Sequence, residues 1–410
     1  MKFSKSSQLF LVSRVFLIAT LGLFMATALT SCAITTIDYL FVANSSGSGT
    51  GTAGQIQTFD VDSQTGAVRA GQPTVPSGGV NPVSMSVTHD TQNLYVANQG
   101  SSSVVHFDLS GVGILTQKES VSLSAPPVFL TTNIADTSLY VVSGTSSATL
   151  TAYPLSSGVI GSPVAGINLS LPGSFAGDTL IPTGVAVLAN NNTVYVTVYD
   201  QSAYNPGGTV TSLANPGWVF GFTVGSGGAL TPVAGSPWQA GVKPSAITSD
   251  PTNRFVYVTD FASNQLIGYT IQSTGALSFM VNGPFRTGSE PESIVVDQRG
   301  LYIYVANELD SSVSAYVINL ATGTPSAAVN VTGSATNTTD TAPVSILVDA
   351  ALGRFVYTAN RLGNSVSGFE LNPNTGTLAP TQATPYPTGF EPTALASINH
   401  GSHAEQSVAP

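Results

Sequence analysis

The sequence predicts an all-β chain folded as a seven-bladed β-propeller, with four antiparallel strands in each blade and the ring closed by a C-terminal strand that joins blade one. Three observations predict it. Only 8% of the 410 residues are charged, while Gly numbers 41 and Pro 25, a composition that suits many short strands joined by tight turns and suits long solvated helices poorly. A short aromatic-led strand recurs seven times, six of them ending in a polar residue: Phe41–Asn44, Tyr95–Asn98, Tyr140–Ser143, Tyr195–Val198, Tyr257–Asp260, Tyr304–Asn307 and Tyr357–Asn360. A proline precedes six of these at a nearly constant distance, 13 residues for Pro82, Pro127, Pro182, Pro244 and Pro291 and 14 for Pro343.

Each element has a local reason. The proline opens a short apolar strand, at the position where its missing N–H costs least. The aromatic-led strand follows. A third strand then alternates, as in Gln265–Ile271 and Ser365–Leu371. A Thr-Gly or Gly-Gly turn leads to a fourth short strand, as in Thr274-Gly275-Ala276-Leu277 and Thr375-Gly376-Thr377-Leu378, and glycine suits a hairpin that needs positive φ. Four strands in roughly 50 residues is a propeller blade. The first unit, from Asp38, lacks a Pro-led strand, and Pro392–Ile398 is a Pro-led strand left over after the last unit. Joining them closes the ring and removes an exposed edge.

The N-terminus reads as an address. Residues 1–14 carry Lys2, Lys5 and Arg14 and no acid, and Val15–Ala28 is an apolar run too short for an ordinary membrane span. Leu29-Thr30-Ser31-Cys32 follows and resembles a bacterial lipobox, in which the cysteine is lipidated and becomes residue one. The expected organisation is a lipoprotein signal peptide over 1–31, a lipidated tether over 32–37, the propeller over 38–398 and a tail over 399–410. Cys32 is the one cysteine, so the mature chain has no disulfide. The expected location is the bacterial cell envelope, with Ala33 after Cys32 leaning toward the outer membrane. The full chain carries 11 basic and 21 acidic residues, net −10, and removal of residues 1–31 leaves −13. That sign excludes a nucleic-acid partner.

The Tyr-Val-x-Asn strand, the Pro-led strand before it and the Thr-Gly-x-Leu turn together resemble the seven-bladed lactonase-type propellers, a family of 6-phosphogluconolactonase-like proteins and surface proteins with Tyr-Val-Thr-Asn repeats. The resemblance spans about residues 38–398. It implies a ligand face over the central channel and, for the enzymes of the family, lactone hydrolysis. Such relatives often carry Arg-His directly after an inner-strand proline. Here those positions read Val83-Ser84, Val128-Phe129, Thr183-Gly184, Ser245-Ala246, Glu292-Ser293, Val344-Ser345 and Thr393-Ala394. The first expectation is therefore an envelope propeller that binds a small polar ligand or an envelope protein, and the alternative is a hydrolase of a sugar-acid lactone.

On the predicted ligand face stand the strand-ending polar residues Asn44, Asn98, Asp260, Asn307 and Asn360, together with Lys243, Arg286, Glu290, Glu292, Glu308, Asp310, Arg361 and Glu391. The strand-end groups either cap local backbone or form a polar ring. Asn98, Asn307, Asn360, Lys243 and Tyr204 are the binding candidates, Tyr204 because it sits in the long loop from Tyr199 to Gly217. Arg286 and Glu290 are the catalytic candidates, an Arg to hold a carbonyl and an acid to activate water. No cofactor or metal is expected. His400-x-x-His403 reads as part of the tail. Gly49–Gly54 matches G-x-G-x-x-G but runs into a strand-like segment rather than a helix, and Asp60-Val61-Asp62 with Gly66 reads as a hairpin turn.

Overall fold

The computed structural model describes residues 35–45, 51–172, 178–201, 217–330 and 332–401. The predicted signal peptide, Cys32, Tyr204 and His403 lie outside them. Seven separate antiparallel sheets are present. Their inner strands are Pro82–Val87, Pro127–Thr132, Leu180–Val187, Pro244–Ser249, Pro291–Val296, Pro343–Val348 and Pro392–Asn399, and these touch one another in ring order. Blade one takes Pro392–Asn399 as its inner strand. That strand pairs with Thr36–Asn44 in a register that sets Tyr39 opposite Ile398 and Leu40 opposite Ser397. The C-terminal closure is thus present as predicted.

Blades three to seven each add a short strand that pairs with the third strand beside the fourth, such as Phe285–Arg286 on Gln265–Ile271. The fourth strand, Leu277–Phe279, pairs only with Tyr269–Ile271 at the end of that third strand, and the added strand pairs with Gln265 and Leu266 at its start. The only helical element among the described residues is a three-residue turn, Ser226–Gly228.

Both faces of each second strand are buried, which is why these strands read as unbroken apolar runs. Along Thr36–Asn44, Tyr39, Phe41 and Ala43 pack on Leu94, Val96 and Phe107 of blade two. Leu40 and Val42 pack on Phe355, Tyr357 and Tyr386 of blade seven. Alternate side chains of one strand therefore serve opposite neighbours. Each fully buried aromatic contributes about 1.5–3 kcal/mol of apolar burial.

The repeated Tyr does more than fill space. Its hydroxyl donates to the carbonyl of a turn glycine in the next blade: Tyr95 to Gly158, Tyr195 to Gly275, Tyr257 to Gly323, Tyr304 to Gly376 and Tyr357 to Gly66. The last of these, at 2.7 Å, runs from blade seven to blade one and locks the ring. Gly66 has φ 64° and a Cβ there would stand 2.3 Å from the Phe355 ring, so the turn requires glycine both for its conformation and for its contact. Asp62 Oδ1 caps the same turn, accepting from the Gln64 and Thr65 amides, which confirms the hairpin reading of this segment.

Candidate functional site

In all seven blades the ladder between inner and second strand skips the residue directly after the proline: Val83, Val128, Thr183, Ser245, Glu292, Val344 and Thr393. Proline offers no N–H to the ladder, and the next residue is left as a bulge. A bulge turns its side chain out of the regular alternation. Here all seven turn inward and line one central cavity of about 340 Å³. The channel wall is thus a ring with one position per blade, and the chain writes it as three valines, two threonines, one serine and one glutamate.

Glu292 is the single ionisable member of the ring. Burial in the channel pushes its carboxyl up from 4.5 to about 7; Glu308 and Glu290 add to the rise, while Lys243 and Arg361 oppose it. Arg361 also lines the cavity and pairs with Glu308. Both follow the strand-end asparagines, Asn360 in blade seven and Asn307 in blade six, so equivalent positions of adjacent blades supply the two partners. Their backbones are held by the Arg361 amide on the Ala342 carbonyl and the Glu308 amide on the Glu290 carbonyl, each at 2.8 Å. Lys243 lies over the Phe261 ring with its Nζ 3.7 Å from the centroid. Gln99, the residue after Asn98, lines the opposite side, and its Oε1 accepts from Asn81 Nδ2 at 3.2 Å.

The sequence candidates fall into three groups. Lys243 and Glu290 stand within electrostatic reach of Glu292. Arg286 does not join them: it occupies the exposed added strand of blade five, paired with Gln265, and forms no ion pair with Glu290 among the described residues. The structure does not bring Arg286 and Glu290 together, because the outer edge of blade five holds the Arg286 backbone; the ion pair nearest Glu292 among the described residues is Arg361–Glu308. Asn98, Asn307 and Asn360 are 0% exposed; Asn307 and Asn360 bond within their own blades, and Asn98 bonds across to the outer strand of blade one. Asn98 accepts from Ser77 Oγ at 2.8 Å, Asn307 donates to Ser312 and Ser314, and Asn360 donates to Ser365 and Ser367. Asn307 and Asn360 thus fasten their own third strands, and Asn98 fastens the outer strand of blade one.

Glu292 escaped selection as a site residue although a signal marked it. It is the one charge among seven equivalent post-proline positions. His106 is buried in blade two with Nε2 at 2.8 Å from Asn93 Oδ1, and burial lowers its proton affinity.

Seven antiparallel blades around a ring of inner strands, with one carboxylate among the seven bulged positions, define a seven-bladed β-propeller with a central channel. The chain belongs to the family described as "Lactonase, 7-bladed beta-propeller", whose model matches residues 33–118 and 111–397. No match is found among curated proteins. Among solved structures, the periplasmic gluconolactonase PpgL of Pseudomonas aeruginosa superposes with a TM-score of 0.72 at 17% identity, over 89% of this chain and 100% of that one. A Bacteroides uniformis protein provisionally described as a 6-phosphogluconolactonase superposes with a TM-score of 0.69 at 16% identity, over 89% and 100%. At these identities the likeness shows the fold.

Proposed function

We propose that this chain is an exported, lipid-anchored propeller that binds a small uncharged ligand in its central channel. The observation that carries the reading is the ring of seven bulged residues around one cavity, with Glu292 facing the Arg361–Glu308 pair across the mouth of blades six and seven. The family membership and the fold shared with the gluconolactonase support it. The lipobox-like segment ending at Cys32 supports the anchor and the envelope location. Replacing Cys32 by Ala is expected to release the protein from membrane fractions or to leave an unprocessed precursor. A variant that matures and stays membrane-bound as before would overturn the anchor.

A second reading, lactone hydrolysis, is favoured by one specific observation, the rise of the Glu292 carboxyl to about 7. An acid poised near neutrality can accept a proton from water and return it. Water would attack the lactone carbonyl while Glu292 takes its proton. Arg361 would hold the oxygen that gains charge. The ring C–O bond then breaks, and Glu292 returns the proton to the departing alkoxide, so lactone plus water becomes a hydroxy acid. The neighbouring Glu308 and Glu290 would repel the new carboxylate and favour its release. The test is hydrolysis of a lactone panel by the mature protein beside Glu292→Gln and Arg361→Ala. Loss of about a hundredfold in either variant supports the enzyme. No turnover of any lactone, together with saturable binding that both substitutions weaken, supports the binding propeller. Neither turnover nor binding overturns both readings.

A further inference from the structure

The second strand of blade one runs from one face of the propeller to the other. It starts at Thr36 and ends at the mouth with Asn44, and its inner-strand partner runs back from Pro392 at the mouth to Asn399. The chain therefore enters and leaves the propeller at the face opposite the mouth. Backbone bonds hold both ends there. The His400 amide donates to the Ile37 carbonyl at 2.8 Å, and the Gly401 amide donates to the carbonyl of Gly111, in the turn between third and fourth strands of blade two, at 3.0 Å.

Cys32 lies close to that entry point in the chain. It precedes Thr36 by four Cα-to-Cα steps, which span at most about 14 Å when fully extended. Thr36–Asn44 has 9 residues, so at about 3.3 Å per step the mouth stands about 26 Å beyond Thr36. A lipid on Cys32 could not let the mouth turn down onto its own bilayer, because the tether is about half as long as the strand. Standing on the outer edge of blade one would lift Thr36 by the two strands outside it, about 10 Å before side chains are counted, and would use most of the reach. Lying on the face opposite the mouth uses almost none of it. Exposed apolar side chains stand at both ends, Val112, Ile134 and Leu320 opposite the mouth and Leu309, Leu362 and Phe390 around it. Exposure therefore does not choose between the faces, and the tether does.

The geometry points to a fixed orientation: the face opposite the mouth, built from the turns that carry Val112, Ile134 and Leu320, rests on the phospholipid bilayer that holds the Cys32 lipid, and the channel mouth opens away from that bilayer into water. This rests on the reading of Cys32 as lipidated. The channel then draws its ligand from the aqueous compartment, and the lipids of the anchoring bilayer are excluded from it.

The experiment reads how close each face comes to the bilayer. Cys32 is the one cysteine and its sulfur would carry the lipid, so Val112→Cys, Leu320→Cys, Leu309→Cys and Leu362→Cys each add a single free thiol for a fluorophore. The lipidated proteins are reconstituted into phospholipid vesicles containing a lipid with a nitroxide on its headgroup, which quenches at short range. Flotation with the vesicles reports the anchor, and quenching reports the orientation. Labels at the Val112 and Leu320 positions are expected to be quenched about twofold or more relative to those at Leu309 and Leu362, because about 26 Å of strand separates the faces. Inserting about 20 Gly and Ser residues between Ile34 and Thr35, which adds roughly 25 Å of mean reach, is expected to erase the difference without releasing the protein. Quenching at Leu309 and Leu362 that equals or exceeds that at Val112 and Leu320 overturns the orientation and leaves the anchor standing. Quenching at Val112 without Leu320 overturns the resting face. A difference that survives the insertion overturns the tether as its cause. Proteins that fail to float with the vesicles overturn the orientation together with the anchor.

Discussion

The two ends of the same strands are built on opposite plans. Away from the mouth, blade repeats blade. Asp250, Asp297 and Asp349 each accept backbone amides at the turn between inner and second strand, and the Tyr hydroxyls reach the glycine turns of the next blade. At the mouth, the backbone repeats but the side chains do not: the same bulge carries Val, Thr, Ser or Glu. Repetition of side chains marks the groups that hold the ring together. A repeated backbone device with varied side chains marks the place where the proposed ligand would be read.

The largest effect should come from breaking the repeated part where the chain closes. Ending the protein at Gly389 removes Pro392–Asn399, with the buried Leu395 and Ile398, and leaves Thr36–Asn44 as an open edge. The loss is expected to rival the whole stability of a domain, about 5–15 kcal/mol, and to yield insoluble protein. Solubility and the melting temperature check it; a truncated protein that melts with the full chain would show that closure is dispensable.

At the mouth, the expected effect has the opposite sign. Glu292 has a carboxyl raised from 4.5 to about 7, so the folded state binds the proton more tightly than the unfolded state. Its contribution therefore falls as pH rises from about 4.5 to 7 and stays low above that. The difference is at most about 3 kcal/mol, less the share that water in the channel screens. Glu292→Gln is expected to melt a few degrees higher than wild type at pH 8 and at the same temperature at pH 4. A variant less stable at pH 8 would mean that the carboxylate is held by its neighbours rather than tolerated for function.

Smaller still is the cost of one seam between blades. Tyr357→Phe keeps the ring and its packing and removes the hydroxyl that serves the Gly66 carbonyl. A buried carbonyl left without its donor costs about 1–2 kcal/mol. Tyr304→Phe, which frees the Gly376 carbonyl, should cost a similar amount. Thermal melts of both variants check this, and no change in either would remove the hydroxyl from the account of blade cohesion.

The sequence shows the repeated part almost completely, because repetition is itself the signal. Pro392–Ile398 could be assigned to blade one because it was the one Pro-led strand without an aromatic partner strand. The site was less legible. Arg286 and Glu290 are close in sequence, but the added strand of blade five parts them, and nothing in Phe285-Arg286 announces pairing with Gln265. Arg361 and Glu308 are 53 residues apart and meet because they hold equivalent places in adjacent blades. Asn98, Asn307 and Asn360 stand where a ligand ring would be expected, yet the serines opposite them in the third strand or the outer strand, such as Ser365 and Ser367, take up the amides. Aligning the blades against one another, instead of reading along the chain, brings out Glu292 and the Arg361–Glu308 pair.

The finest test of the contrast lies within the repeated part, at the one blade where the repeat is incomplete. Tyr140 occupies the same place as Tyr95, Tyr195, Tyr257, Tyr304 and Tyr357, and its ring is fully buried. Among the described residues its hydroxyl makes no bond to the next blade; Ser138 of its own strand is its polar neighbour. Its ring still packs with Val194, Val196 and Phe222 of blade four. Tyr140→Phe removes a buried hydroxyl that has no partner across the seam, so its cost should be under about 0.5 kcal/mol, and relief of the desolvated hydroxyl could make it slightly stabilising. Measured beside Tyr357→Phe, the two variants make the same chemical change at equivalent positions. A Tyr140→Phe loss as large as that of Tyr357→Phe would mean that the ring position, and not the bond to the next blade, sets the stability of the seam.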